Sequence, residues 1–322
     1  MAKQNETENQ HTVPAVFLKA FASDGNLTRK GKILQYSRET SNCKELSIGK
    51  QASTQDGIYT LQDHPEKTRM FLETTLFANK IENDAGAPLS KLRSGQPVSG
   101  DDRVAISAFF ALQCLRTKAR IEDVHAQDAE LFKPENMIRY VQLNREKLNN
   151  LQGRDAVDEE ISRIRNTGEV AGRSRSRRLL ELFNSNLGGL TECIWSLNWR
   201  VERASKGTAF VTSDNPVFVR HRSRPLKLAH VCLDPEDSDV ELYVAISPER
   251  FLIGSWNPES GSTHPKATIS HTRVEHLNRL TVVMADQFVF ASKRCKQVER
   301  LLAQERNSRV QWPDLVSALL SG

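Results

Sequence analysis

The order of the periodic patterns along the chain is the feature that most constrains its fold. Apolar residues recur at helical spacing through residues 65–187, whereas residues 188–292 hold short β-rich runs separated by turns. Helices that precede strands, rather than alternate with them, favour an α+β fold over repeated β-α-β units. We therefore predict an α+β fold class, with helical N-terminal and middle segments packed with a mostly antiparallel sheet from the C-terminal half.

Length and composition bound the number of domains without deciding it. The chain has 322 residues, of which 38% are hydrophobic and 26% charged, which is typical of a globular protein. A chain of this length can bury one large core or two modest ones, so a boundary near residue 188 is one possibility. Residues 1–10 are polar throughout and predict a disordered tail.

The sequence lacks the signals of membrane and exported proteins. No apolar run approaches the roughly 20 residues that span a bilayer, and the polar N-terminus lacks the apolar core of a signal peptide. The five cysteines are scattered and form no C-x-x-C pair, which predicts free thiols in a reducing compartment and no metal site. We therefore predict a cytoplasmic protein. Phosphate-loop, dinucleotide, zinc-protease and kinase motifs are all missing, so no cofactor can be assigned.

The formal net charge of +5 is unevenly distributed. Basic residues concentrate in two patches, Arg173–Arg178 and Arg220–Arg224. Such patches could contact nucleic acid or a nucleotide, and a solvated basic surface is the alternative.

A polar turn follows the apolar run that ends at Val211. Its residues are Thr212-Ser213-Asp214-Asn215-Pro216, and a strand end of this kind often carries groups that face a ligand. Asp214 could act as a general base, a metal ligand or an acceptor for a ribose hydroxyl, with Asn215 orienting the substrate. The alternative is that both side chains only cap the turn.

Two acidic residues lie on one expected helix. Glu73 and Glu82 are nine residues apart, which turns an α-helix through about 900°, so we expect them to point in opposite directions. At most one of them then serves a shared site. Arg116, near a helix end, could clamp a phosphate or carboxylate with Gln113 orienting the same ligand, or Arg116 could instead form a buried ion pair with Glu82.

An ordered series of short motifs runs through the chain and resembles a known family. The series is His11-x-x-Pro14-x-x-Phe17-Leu18-x-x-Phe21, Ile33–Tyr36, Glu73, Ile81-Glu82, Gln113-x-x-Arg116-Thr117, Thr212-Ser-Asp214-Asn-Pro216, Ile246-Ser-Pro248 and His276-Leu-Asn278. It resembles the family of domain of unknown function 4238, found mainly in bacteria, over residues 10–292. Two positions depart from the family pattern, with Phe17 in place of Tyr and Lys118 in place of Pro. The resemblance implies that residues 11–322 form a single domain built from both halves, and it implies no reaction.

The candidate residues support two functional hypotheses and a structural one. The first is a hydrolase or nuclease-like enzyme acting on a phosphate-bearing substrate. It would use His11, Glu82 and Asp214 as catalytic residues, and Gln113, Arg116 and Asn215 for substrate binding. A role in bacterial stress or phage defence is a background expectation for such proteins. The alternative is a non-catalytic module that binds a nucleotide, RNA or protein, and the third possibility is that these residues only specify packing.

Overall fold

The computed structural model of the chain describes residues 9–152, 156–170, 172, 174–225, 233–257, 268–306 and 313–321. Its first part forms short strands around one short helix, which begins directly after Pro14. The Pro14 ring fixes φ near −63°, and this residue is extended rather than helical. The elements are β1 (Asn9–His11), α1 (Ala15–Leu18), β2 (Lys32–Ser37), β3 (Cys43–Ser47) and β4 (Thr54–Asp56).

A run of helices forms the middle of the chain. It begins with a π-helix, Leu72–Glu82, which continues directly into α2 (Asn83–Ser94). The next helix starts at a capping box, because the Ser99 hydroxyl accepts from the Asp102 N–H at 3.1 Å and the Asp102 carboxylate accepts from the Ser99 N–H at 2.9 Å. The following helices are α3 (Gly100–Arg116), α4 (Lys118–Leu131), α5 (Pro134–Leu143), α6 (Arg145–Gln152), α7 (Ala156–Thr167) and α8 (Arg175–Ser196).

Antiparallel sheets dominate the C-terminal part. The remaining elements are β5 (Asn198–Arg203), β6 (Thr212–Ser213), β7 (Val217–His221), β8 (Val240–Ser247), β9 (Arg250–Ser255), α9 (His271–Met284), β10 (Phe288–Ala291), α10 (Lys296–Gln304) and α11 (Leu315–Ser321). One four-stranded sheet has the order β5-β9-β8-β7 and another the order β3-β2-β10-β6, while β1 pairs with β4. The α+β fold class is therefore confirmed.

The main hydrophobic core joins the two halves of the sequence. Its buried side chains run from Val13 and Phe17 at the start of the chain, through Phe109 and Phe110 of α3, to Phe290 of β10. A smaller cluster lies between β2, β10, α9 and α10. The N-terminal strands β2 and β3 thus share a sheet with strand β10, which follows them by some 250 residues.

The structure differs from the sequence predictions at several element boundaries. Residues 9 and 10 belong to strand β1 rather than to the expected tail, and residues 1–8 lie outside the described residues. The sequence after the strand at Lys32–Ser37 predicts an irregular segment to about residue 62, but this segment contains β3 and β4. Helix α8 extends to Ser196, past the pair of glycines at which the sequence suggested an end. The apolar, β-rich residues 226–233 also predict a strand, and all of them except residue 233 lie outside the described residues.

Candidate functional site

The π-helix brings two carboxylates to one side of the molecule. Its wider turn holds roughly 4.4 residues, because the hydrogen bonds run from i to i+5, so nine residues complete about two turns. Glu73 and Glu82 therefore point the same way, and both bind the guanidinium of Arg116. The prediction that they point in opposite directions is wrong, because it assumed α-helical geometry.

Arg116 is fully buried at the end of α3 and its donors are engaged by the protein itself. One terminal nitrogen donates to the Glu82 carboxylate at 2.5 Å, and the other donates to the His11 carbonyl and lies 3.5 Å from the Glu73 carboxylate. Nε donates to the Tyr59 hydroxyl at 3.4 Å, and the Tyr59 hydroxyl in turn donates to the Arg116 carbonyl at 2.6 Å. The fully buried Arg116 side chain thus holds the two carboxylates, and its predicted role in substrate binding stays a prediction.

Aromatic rings and charges keep the Arg116 guanidinium ionised. Its central carbon lies 4.7 Å from the centroid of the Phe77 ring and 5.2 Å from that of Tyr59, within reach of a cation–π attraction. Burial alone would lower the pKa of Arg116, but the facing Tyr59, Glu82 and Glu73 raise it overall. The ion pair between Arg116 and Glu82, one of the alternatives from the sequence, is therefore present and includes Glu73 as well.

The two carboxylates remain accessible although their arginine is not. Each Glu side chain is 18% exposed. Burial raises the pKa of Glu73, Arg116 lowers it, and Glu82 raises it again, with a net upward shift. One guanidinium therefore faces two carboxylates, and Glu73, at the longer distance from it, is the carboxyl better placed to exchange a proton.

His11 lies beside this cluster and is neutral at pH 7. Its Nε2 lies 3.2 Å from the carbonyl oxygen of Ile48, which can only accept, so Nε2 carries the hydrogen and Nδ1 is the acceptor of the ring. Burial lowers the pKa of His11, and the charges of Arg29 and Arg116 lower it further. A backbone hydrogen bond from His11 also stabilises the ionised Glu73. The structure thus brings together His11, Glu82 and Arg116, and adds Glu73.

Asp214 serves the loop that connects α9 to β10. Its two carboxylate oxygens accept three backbone N–H groups, from Asp286 at 2.9 Å, Gln287 at 2.7 Å and Phe288 at 2.9 Å. Burial and the charge of Asp286 raise the pKa of Asp214 to about 7, against the opposing effect of these hydrogen bonds. Capping is thus its observed role, and it caps a segment more than 70 residues away rather than its own turn.

A small cavity lies beside Asp214. The cavity has a volume of about 230 Å³, and Thr12, Ser53, Lys118 and Asp214 are among its lining residues. Thr12 is the neighbour of His11, and Lys118 lies two residues after Arg116. None of the residues of the Arg116 cluster lines this cavity, and no hydrogen bond or ion pair among the described residues joins Asp214 to that cluster.

The predicted substrate-binding roles of Asn215 and Gln113 are not supported by their surroundings. The Asn215 side chain donates to the Met284 carbonyl at 2.9 Å and so caps the end of α9. Gln113 has no exposed surface, and within the described part of the chain neither of its amide atoms has a hydrogen-bond partner. Asn278 is also structural, because its amide bridges the Val211 N–H and the Ala209 carbonyl.

Sequence reasoning missed two members of the cluster. Glu73 is separated from Glu82 if the segment is assumed to be an α-helix. The π-helix that brings the two carboxylates together leaves no recognisable pattern in the sequence. Tyr59 lies in a segment that carries no periodic signal, and only its contact with Arg116 reveals its part.

Some of the arginines in the two basic patches are paired with carboxylates where they are described. Arg177 pairs with Glu181 at 3.0 Å, and Arg222 pairs with Asp239 at 2.7 Å. Arg178 lies 3.4 Å from Asp128. Arg220 is buried, and Arg173 lies outside the described residues. Ion pairs of this kind reduce the charge that these patches offer to nucleic acid.

The described ranges lack the features of a metal site and of a membrane-spanning helix. They contain no group of three or more His, Cys, Asp or Glu side chains that could hold a metal ion. No helix within them has the length and apolar character needed to cross a membrane. The four cysteines that are described, Cys43, Cys114, Cys193 and Cys295, are free thiols.

Comparison with known proteins identifies the family. Residues 9–295 match the model of the family described as "Protein of unknown function (DUF4238)". No curated protein and no solved structure matches the chain. The matched range contains β1 with His11, the π-helix with both glutamates, Arg116 and the Asp214 turn. The chain belongs to the family of domain of unknown function 4238.

Proposed function

We propose that the chain is a hydrolase that acts on a phosphate-bearing substrate and that Glu73 is its general base. The observation that carries this proposal is the pair of partly exposed carboxylates, Glu73 and Glu82, held on one buried Arg116. Burial and a neighbouring carboxylate raise the pKa of a carboxyl toward neutral pH, where acid–base catalysis is most effective. A π-helix is also rare, and such segments are frequent at functional sites.

The two carboxylates take different roles in this proposal. Glu82 lies at 2.5 Å from Arg116 and remains paired, whereas Glu73 is held at 3.5 Å. Ionised Glu73 accepts a proton from water as the water oxygen bonds to phosphorus and the bond from phosphorus to the leaving oxygen breaks. The same proton then passes from Glu73 to the leaving oxygen, directly or through His11 Nδ1, which restores the carboxylate.

Two cations near the cluster support a negatively charged substrate. Arg29 is exposed, and its charge lowers the pKa of both His11 and Glu73, which places it close to the proposed centre. Lys118 lines the cavity beside Thr12 and is 24% exposed, with Glu122 at 3.6 Å. Both can offset the repulsion between a phosphate group and the glutamates.

A non-catalytic nucleotide-binding role is the second candidate. A second cavity, of about 610 Å³, shares the segment Asp286–Phe288 with the smaller cavity as part of its lining. Arg38 and Arg306 also line it. A volume of that order suits a small-molecule ligand, since such sites span roughly 300–1,000 Å³. None of the residues in the Glu73 cluster lines this cavity.

A comparison of wild type with two charge-neutralising variants separates these proposals. Release of phosphate would be followed with a panel of phosphate monoesters, nucleotides and short nucleic acids, using Glu73→Gln and the control Glu66→Gln. Glu66 is an exposed carboxylate just before the π-helix, so the control removes the same charge outside the cluster. Turnover that is lost only in Glu73→Gln supports the hydrolase. Saturable binding without turnover supports the binding module, and neither turnover nor binding contradicts both.

A further inference from the structure

A second charged cluster lies on the sheet β5-β9-β8-β7, away from the Arg116 cluster. The antiparallel register places Arg220 of β7 directly opposite Glu241 of β8, and Tyr243 follows on the same face two residues later. Helix α9 adds Arg273 and His276 to the cluster. The charges of Arg220 and Arg273 both lower the pKa of His276, so the three side chains are close in space. Buried charges on a sheet face need partners, because an uncompensated charge is costly to remove from water.

Arg220 differs from the other buried arginines in how poorly it is satisfied. The three buried arginines of the described chain are Arg38, Arg116 and Arg220. Arg38 donates to the carbonyls that end α9 and α10, and Arg116 binds two carboxylates. Arg220 is 4% exposed and, among the described residues, it makes one hydrogen bond, of 3.4 Å to the Arg224 carbonyl, and its buried Nε has no partner.

Burial lowers the pKa of Arg220 and the charge of Glu241 opposes this shift, but no carboxylate among the described residues forms a direct ion pair with Arg220. Glu241 accepts the hydroxyl of Tyr243, and among the described residues it forms no ion pair with Arg220. Glu202 is held by Arg273 through two hydrogen bonds of 3.0 and 3.1 Å, and Arg200 approaches it at 3.3 Å. Three arginines therefore face two glutamates, which leaves the cluster with one excess positive charge.

The cluster reaches solvent beside His276. Its imidazole is exposed, while Arg273 beside it is 37% exposed. Burial lowers the pKa of His276, and the charges of Arg273, Arg220 and Arg279 lower it further, although Glu202 opposes them. A small anion arriving at this edge would therefore meet a positive potential.

We propose that Arg220 and Arg273 form a binding site for a small oxyanion of the phosphate class, entered beside His276. A buried guanidinium nitrogen without an acceptor is costly, and a phosphate oxygen that reached Nε of Arg220 would supply that acceptor and offset the excess positive charge of the cluster. The site shares no residue with the proposed hydrolytic centre, so each can fail without the other.

Titration with inorganic phosphate tests the site directly. Binding would be measured by calorimetry and by thermal unfolding at constant ionic strength, with chloride as the reference salt. We expect phosphate to bind the wild type and Arg220→Met to bind it roughly ten- to a hundredfold more weakly, as for the loss of a hydrogen bond to a charged group. The control Arg222→Met removes an exposed arginine two residues away and keeps the affinity.

Stability without phosphate separates this proposal from a purely structural role of Arg220. Urea unfolding without phosphate measures what Arg220→Met costs in stability, since the variant removes a buried cation opposite Glu241. A destabilised Arg220→Met protein that still responds to phosphate like wild type would overturn the site. Nucleoside monophosphates form a second arm, because tighter binding than that of inorganic phosphate identifies a nucleotide as the source of the anion. Equal affinity identifies free phosphate.

A proton NMR titration of His276 in the wild type tests whether phosphate binds beside this residue, even if Arg220→Met does not fold. Bound phosphate offsets the neighbouring arginines and raises the pKa of His276, whereas chloride at the same ionic strength does not. The same pKa in both salts would overturn the proposal.

Discussion

Glu73 and Glu82 stand nine residues apart on one helix, and both of their carboxylates reach the guanidinium of Arg116. This relationship depends on the π-helical turn, because an α-helix would place the two side chains on opposite faces. It creates a group in which one buried cation holds two partly exposed acids. The following predictions test this group and the contacts around it.

Arg116→Met should lower the free energy of unfolding by about 3–5 kcal/mol, because it leaves two carboxylates beside a buried apolar side chain. Urea unfolding at pH 7 measures the change. Arg177→Met is the matched control, since Arg177 is 72% exposed and its ion pair with Glu181 contributes less than about 1 kcal/mol. Equal effects of the two substitutions would contradict the role assigned to Arg116.

Asp214→Asn should flatten the pH dependence of stability between pH 4 and 7. The pKa of Asp214 is about 7 in the folded protein, compared with 3.8 for the unfolded chain. Between these two pH values the folded protein therefore holds a proton on Asp214 that the unfolded chain has lost. The free energy of unfolding therefore falls as the pH rises from 4 to 7, by at most about 1.4 kcal/mol per pH unit. Above pH 7, Asp214 makes no further contribution to the pH dependence. Urea unfolding of wild type and variant at pH 5 and pH 8 measures the difference. An unchanged slope in the variant would show that Asp214 does not titrate in this range.

Asn278→Ala should lower the free energy of unfolding by about 2–4 kcal/mol without affecting phosphate release. The substitution leaves the Val211 N–H and the Ala209 carbonyl without their partner, and such buried groups are costly. Asn136→Ala is the control, because that side chain bonds a carbonyl at an exposed position. A loss of activity at full stability would instead place Asn278 in the site.

Gln113→Met should raise the free energy of unfolding by about 1–2 kcal/mol, because it replaces an unpartnered buried amide with an apolar side chain of similar size. Thermal and urea unfolding measure the effect, with Gln96→Met as an exposed control. A destabilised variant would mean that the amide has a partner, as expected if Gln113 orients a ligand.

Local features of this fold could be predicted from the sequence, and long-range partners could not. Ser99 and Asp102 form their capping box within four residues, so the start of α3 is visible in the pattern. The partners of Asp214 and Asn215 lie about 70 residues further along, where no spacing rule connects them. The same holds for Arg116, whose two glutamates depend on a π-helix that hydrophobic periodicity does not distinguish from an α-helix.

The central claim is that Glu73 and Glu82 share Arg116 and that Glu73 is the group that exchanges a proton. The most direct measurement is a carbon-13 NMR pH titration of the Glu73 carboxyl in the wild type and in Glu82→Gln. In the wild type we expect a pKa above the ordinary 4.5, because of burial and the nearby Glu82 charge. Removing that charge should lower the pKa of Glu73 in the variant. A Glu73 carboxyl that titrates at its ordinary value, and does so equally in both proteins, would contradict the account.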